Sequence, residues 1–135
     1  MKFGYANKTD FQYILDNDIH ISRELIQTKI QEKEIIIVRD SDKKNIGWLR
    51  YGYFWDNTPF MNMLYLNEAY RYKGIGTKLV RFWEREMKRK GYNLVMTSTL
   101  SNEQAQHFYR KLGYKDSGCL LLENESLEII FTKEI

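Results

Sequence analysis

The sequence predicts a mixed α/β domain, and three observations predict it. Short β-branched or alternating runs recur between stretches of helical period. Two aromatic runs, 46–55 and 60–66, flank an Asp/Asn/Pro loop and read as an antiparallel hairpin. The second of them leads through a glycine-bearing loop into a long amphipathic helix.

The elements follow in order. Phe3–Ala6 reads as a short first strand. Thr9 or Asp10 is placed to cap a helix through Phe11, Ile14 and Leu15. Ser22 starts a second helix, with Leu25, Ile26 and Ile30 on one face. Glu34–Arg39 is β-branched and short, a buried strand. Ser41–Asn45 is a charged turn, Ile46–Trp55 a long strand, Asp56–Pro59 a turn and Phe60–Leu66 a strand. Beyond Arg71–Gly76, the residues Ile75, Leu79, Phe82, Trp83 and Met87 form one helical stripe, and Gly91 ends the helix. Leu94–Thr99 is a strand, Asn102–Leu112 a helix ended by Gly113, and Tyr114–Gly118 and Leu127–Thr132 are closing strands. The order is β-α-α-β-β-β-α-β-α-β-β.

The 135 residues suit one domain spanning 1–135, with no linker, repeat or low-complexity tract. Net charge is +3 and the pI about 8.9. This balance suits a polyanionic ligand but falls short of a dedicated nucleic-acid binder. The single cysteine, Cys119, excludes an internal disulfide framework and agrees with a reducing cytoplasm. His20 and His107 lack metal-ligand spacing, and neither a signal-length apolar stretch nor a membrane span is present. The expectation is a cytoplasmic protein with no metal, membrane or nucleic-acid partner, either monomer or homodimer.

The stretch with the most chemistry is Arg71-Tyr72-Lys73-Gly74-Ile75-Gly76. A helix N-terminus has unpaired N–H groups and a positive dipole end, and glycines admit an anion close to the backbone. Arg71 and Lys73 add charge. A tight turn using glycine for a positive φ explains the two glycines equally well. A dinucleotide fingerprint requires a third glycine where Leu79 stands, and a Walker loop requires Lys-Ser/Thr where Thr77-Lys78 stands.

This segment resembles the [QR]-x-x-G-x-[GA] motif of the GNAT acetyltransferase superfamily, and Tyr70-Arg71 matches that family's common Tyr-Arg pair. Asn102 through Tyr114 resembles its N-x-x-A-x-x-[FL]-Y-x-x-x-G-[FY] helix. Two motifs in the same order and at the same separation support each other. The departures are Glu68, where many relatives have Pro, and Tyr72, where many have a small residue.

The resemblance implies a mostly antiparallel central sheet of six to seven strands, splayed between the strand ending at Leu66 and the one starting at Leu94, with about four helices. It implies an acetyl-CoA-dependent N-acetyltransferase acting by direct transfer. The amides of Arg71, Tyr72, Lys73, Gly74, Ile75, Gly76 and Thr77 would hold the diphosphate. Leu64 and Leu66 would pair with the pantetheine arm, and the Leu66 N–H would face the thioester oxygen. Tyr109 would protonate the departing thiolate, and Asn102 would bond the pantetheine. From the residues alone, Tyr109 is also readable as a packed core aromatic and Asn102 as a helix cap. Glu68 is the candidate general base, with a solvated loop carboxylate and a water relay as alternatives.

By strand alternation Leu49, Tyr51, Tyr53 and Trp55 share one hairpin face, and Trp48, Arg50 and Phe54 the other. Tyr51, Tyr53 and Trp55 are candidates to bind the acceptor, a small-molecule or peptide amine; packing in the core is the alternative. Two rival functions remain at this level. One is an acyl-CoA sensor of the same fold without turnover. The other is a small RNA-binding module built on the basic helix, whose charges a solvated helix face explains without RNA.

Overall fold

The computed structural model describes residues 1–135. Seven strands and four helices follow the expected order: β1 (Lys2–Tyr5), α1 (Phe11–Asn17), α2 (Arg23–Gln31), β2 (Ile35–Arg39), β3 (Asn45–Phe54), β4 (Thr58–Leu66), α3 (Ile75–Arg89), β5 (Leu94–Leu100), α4 (Ala105–Lys111), β6 (Lys115–Leu120) and β7 (Glu128–Glu134). Two 3-10 turns, Lys8–Asp10 and Glu68–Tyr70, are additions. The strand order is β1-β2-β3-β4-β5-β7-β6. The β4–β5 pair is parallel; β1–β2, β2–β3, β5–β7 and β6–β7 are antiparallel. No helix is long and apolar enough to cross a membrane.

The chain divides into two compact units. The first comprises Met1–Tyr51 and Met63–Trp83. One face of its strands packs Ile35, Ile37 and Trp48 on Ile14 of α1 and Ile26 of α2, all essentially inaccessible to solvent. Strand alternation turns Tyr51 to the other face, where its ring meets Trp83 of α3 at 5.8 Å. Ser22 caps α2 by accepting from the Leu25 N–H at 3.2 Å. The entry to α1 differs from expectation. Asn7 forms a capping box with Asp10, whose carboxylate turns inward to Arg39 at 2.6 Å and Asn45 at 3.0 Å.

The second unit comprises Gly52–Asn62 and Glu84–Ile135. Val95 and Phe131 are buried in its sheet, and Leu112 and Tyr114 close over it. Glu84 is buried but satisfied: it accepts from the Tyr114 hydroxyl at 2.9 Å and from Lys133 Nζ at 3.0 Å. The hairpin turn falls one residue earlier than expected. Trp55 and Asp56 both have positive φ, 56° and 60°, and the Asn57 N–H reaches back to the Phe54 carbonyl at 3.2 Å. Such a two-residue primed turn matches the twist of the flanking strands. Trp55 therefore leaves β3, and Pro59 becomes a buried strand residue.

Candidate functional site

In the first unit the end of β4 is held by three contacts. The Asn67 N–H donates to the Ile46 carbonyl at 2.8 Å. Backbone groups alternate sides along a strand, so the amide and carbonyl of Leu66 point away from β3. The Leu66 carbonyl accepts from Arg71 Nε at 2.8 Å. Gly47 lies against this strand end, and a Cβ there would sit 2.5 Å from both the Tyr65 carbonyl oxygen and Leu66 Cδ2. Only glycine fits such an approach. Its reason is a cross-strand contact, which the sequence does not display. Leu64, two residues earlier, is half-buried.

The loop after β4 turns twice through left-handed backbone, at Tyr72 (φ 61°) and Gly74 (φ 81°). Added bulk at Gly74 would meet nothing within 4 Å, so its glycine serves conformation rather than space. Tyr72 takes the same conformation with a Cβ, at a cost of about 1 kcal/mol, and its side chain is fully exposed. The first intrahelical bond of α3 runs from the Lys78 N–H to the Gly74 carbonyl at 3.2 Å. The amides of Ile75, Gly76 and Thr77 therefore lie in the first helical turn, ahead of any intrahelical acceptor. Ile75 is buried and anchors the turn. Arg71 and Lys73 are exposed beside it, their cationic ends over the rings of Tyr65 (5.4 Å) and Tyr70 (6.0 Å). Tyr70 donates to Asp40 at 3.0 Å, which ties down the preceding turn. Helix-terminal amides, left-handed turns and two cations form a donor set that fits a diphosphate. Glu68 sits exposed on the Glu68–Tyr70 turn.

In the second unit Tyr109 is 6% exposed on α4, its ring against Phe108, Tyr114 and Phe131. Burial pushes its phenol up to about 12, Glu103 adds to the effect, and a hydrogen bond with Thr97 opposes it. Thr97 donates to the Met61 carbonyl at 2.9 Å. The packed-core reading of Tyr109 thus holds for the ring, while its hydroxyl is partnered by Thr97. Asn102 does not cap α4. The helix starts at Ala105 after Gln104, and Asn102 is exposed in the preceding turn. The Gln106 amide holds that turn instead, donating to the carbonyls of Ser101 and Glu103 at 2.8 Å each. His107 is exposed.

The three hairpin aromatics part company. Tyr51 is buried, with its hydroxyl on the Lys33 carbonyl at 3.1 Å. Tyr53 and the exposed Trp55 line a groove of about 770 Å³, which Phe54 and Phe60 share.

The model of the family described as "Acetyltransferase (GNAT) family" matches residues 6–114. The chain is similar to a GNAT-family acetyltransferase from Bacillus cereus, with 25% identity, 98% of this chain and 96% of that one covered, and a TM-score of 0.80. It is similar in fold to a GNAT-family acetyltransferase from Elizabethkingia anophelis with acetyl-CoA bound, at 20% identity, 99% and 97% coverage and a TM-score of 0.78. An aminoglycoside 6'-N-acetyltransferase complexed with coenzyme A shares the fold at 19% identity, 99% and 97% coverage and a TM-score of 0.80.

Proposed function

The chain belongs to the GNAT acetyltransferase family and is an acetyl-CoA-dependent acyltransferase, and from that premise we propose that residues 1–135 work as one domain moving an acetyl group directly to a primary amine. The observation that supports this most is the first turn of α3. Its Ile75, Gly76 and Thr77 amides follow left-handed Tyr72 and Gly74 and stand beside exposed Arg71 and Lys73.

Acetyl-CoA, when bound, supplies the acetyl thioester. The Arg71 N–H is engaged with the Glu68 carbonyl at 3.2 Å, contrary to the sequence expectation. The amides of Tyr72–Thr77 therefore hold the diphosphate, and the backbone of Leu64 and Leu66 pairs with its pantetheine arm. Asn102 adds a hydrogen bond to that arm. The Leu66 N–H donates to the carbonyl oxygen as negative charge grows there, a contribution of about 3 kcal/mol in the transition state. The amine nitrogen forms the new C–N bond as the C–S bond breaks. Tyr109 gives its phenolic proton to the departing sulfur, and the proton shed by the amine passes to Glu68 or to water. The acceptor is a primary amine on a small molecule or a peptide.

An acetyl-CoA thiol-release screen against grouped amines tests this, with Tyr109→Phe as the control. Turnover should fall about 100- to 1,000-fold in the variant while coenzyme A affinity persists. If coenzyme A binds but no amine in a broad panel is acetylated, the chain is an acyl-CoA-binding protein without turnover.

A further inference from the structure

The second unit has a sheet face that its helix does not cover. The registers place Thr97 beside Met61 and opposite Phe131, and Phe131 packs on Tyr109. That row faces α4. The adjacent row, Phe60 beside Met96 and Met96 opposite Thr132, points to the other face and floors the groove of about 770 Å³. Tyr53, Phe54 and Trp55 build one wall. Cys119 and Leu120, at the end of the exposed edge strand β6, build the other.

The chemistry of this lining is selective. No Asp, Glu, Lys, Arg or His lines the groove, although 29% of the chain is charged. Two of its hydroxyls, on Ser117 and Thr132, are engaged with each other at 2.6 Å. Four aromatic rings line it, with Phe54 and Phe60 stacked at 6.3 Å and Phe54 against Trp55 at 4.7 Å. The volume lies within the range of small-molecule sites. A polycation placed here would lose hydration without meeting a carboxylate, a large cost. A neutral aromatic or aliphatic body would gain by burial and by ring contact.

Resting on the acyltransferase reading, we propose that this groove seats the uncharged, aromatic or apolar body of a monoamine acceptor and discriminates against polycationic amines. The groove and Tyr109 lie on opposite faces of β5.

The chain's only cysteine, Cys119, is exposed in the groove and reports occupancy independently of turnover. The probes are tryptamine, a single amine on an aromatic body, and spermidine, a polyamine. Tryptamine should slow N-ethylmaleimide labelling of Cys119 at least about fivefold, and spermidine should leave it unchanged. Trp55→Ala should raise the tryptamine KM about tenfold without changing the acetyl-CoA KM. Labelling indifferent to tryptamine, or spermidine acetylated with the lower KM, overturns the assignment. A coenzyme A titration separates the two levels. If coenzyme A binds while tryptamine neither protects nor is acetylated, the groove assignment alone falls; if coenzyme A does not bind, the acyltransferase reading falls with it.

Discussion

Arg71 returns its Nε to the carbonyl oxygen of Leu66 at 2.8 Å, closing the loop that precedes α3 back onto the strand it leaves. The first residue of the glycine motif thus has a positioning role besides its charge. It fixes the Leu66 carbonyl, one peptide along from the Leu66 N–H that is proposed to meet the thioester oxygen. A hydrogen bond from a charged donor contributes about 1.5–3 kcal/mol. Arg71→Ala is therefore expected to lower kcat/KM for acetyl-CoA about 10- to 100-fold. Arg71→Lys should not restore it, because an ammonium lacks the planar fork that reaches this carbonyl. Full recovery in steady-state kinetics of the lysine variant would show that charge alone matters.

Gly47 makes the companion prediction from the neighbouring strand. A methyl group there would press on the Tyr65 carbonyl and Leu66 side chain, both 2.5 Å from the added atom. Overpacking of this kind costs about 1–3 kcal/mol. Gly47→Ala should lower stability by that amount in urea unfolding. It should also reduce acetyl-CoA turnover, because the displaced group is the end of β4. Unchanged values for both would contradict the close strand approach.

Tyr109 predicts a pH signature. Its phenol is raised in the folded protein from 10.0 to about 12, chiefly by burial. A raised folded value means that the contribution to stability is complete below about pH 10. It is lost as pH rises from there through about 12, where the unfolded chain ionises first. The amount is about 2–3 kcal/mol. Between about pH 9 and pH 12 the wild type should lose that much more stability than Tyr109→Phe. An identical loss in both proteins would place the phenol in water. The same shift keeps Tyr109 protonated, so no basic limb from this group is expected in the rate profile below about pH 10.

Much of this was legible in the sequence because it rests on local patterns. The period of Leu79, Trp83 and Met87 shows a helix stripe, and all three are fully buried. Gly74 before α3 and Gly91 and Gly113 after α3 and α4 have the positive φ their positions suggest. What was illegible depends on partners distant along the chain. Gly47 is glycine because of Tyr65 and Leu66. Asp10 is drawn inward by Arg39 and Asn45, so its side chain does not cap α1, and Asn7 caps the preceding 3-10 turn. Trp55 lies in a left-handed turn that its own residue type does not announce, which moved it out of the strand. Asn102 has a strong capping propensity, but α4 begins at Ala105, three residues beyond it.

The central claim is that the amides opening α3 grip a diphosphate, and calorimetric titration of the protein with coenzyme A and with pantetheine tests it most directly. Pantetheine keeps the arm and the thiol but lacks the diphosphate and the 3′-phosphoadenosine attached to it. Two charge-assisted hydrogen bonds to backbone amides predict that it binds at least about 100-fold more weakly than coenzyme A. Equal affinities, or no binding of coenzyme A at all, would contradict the account.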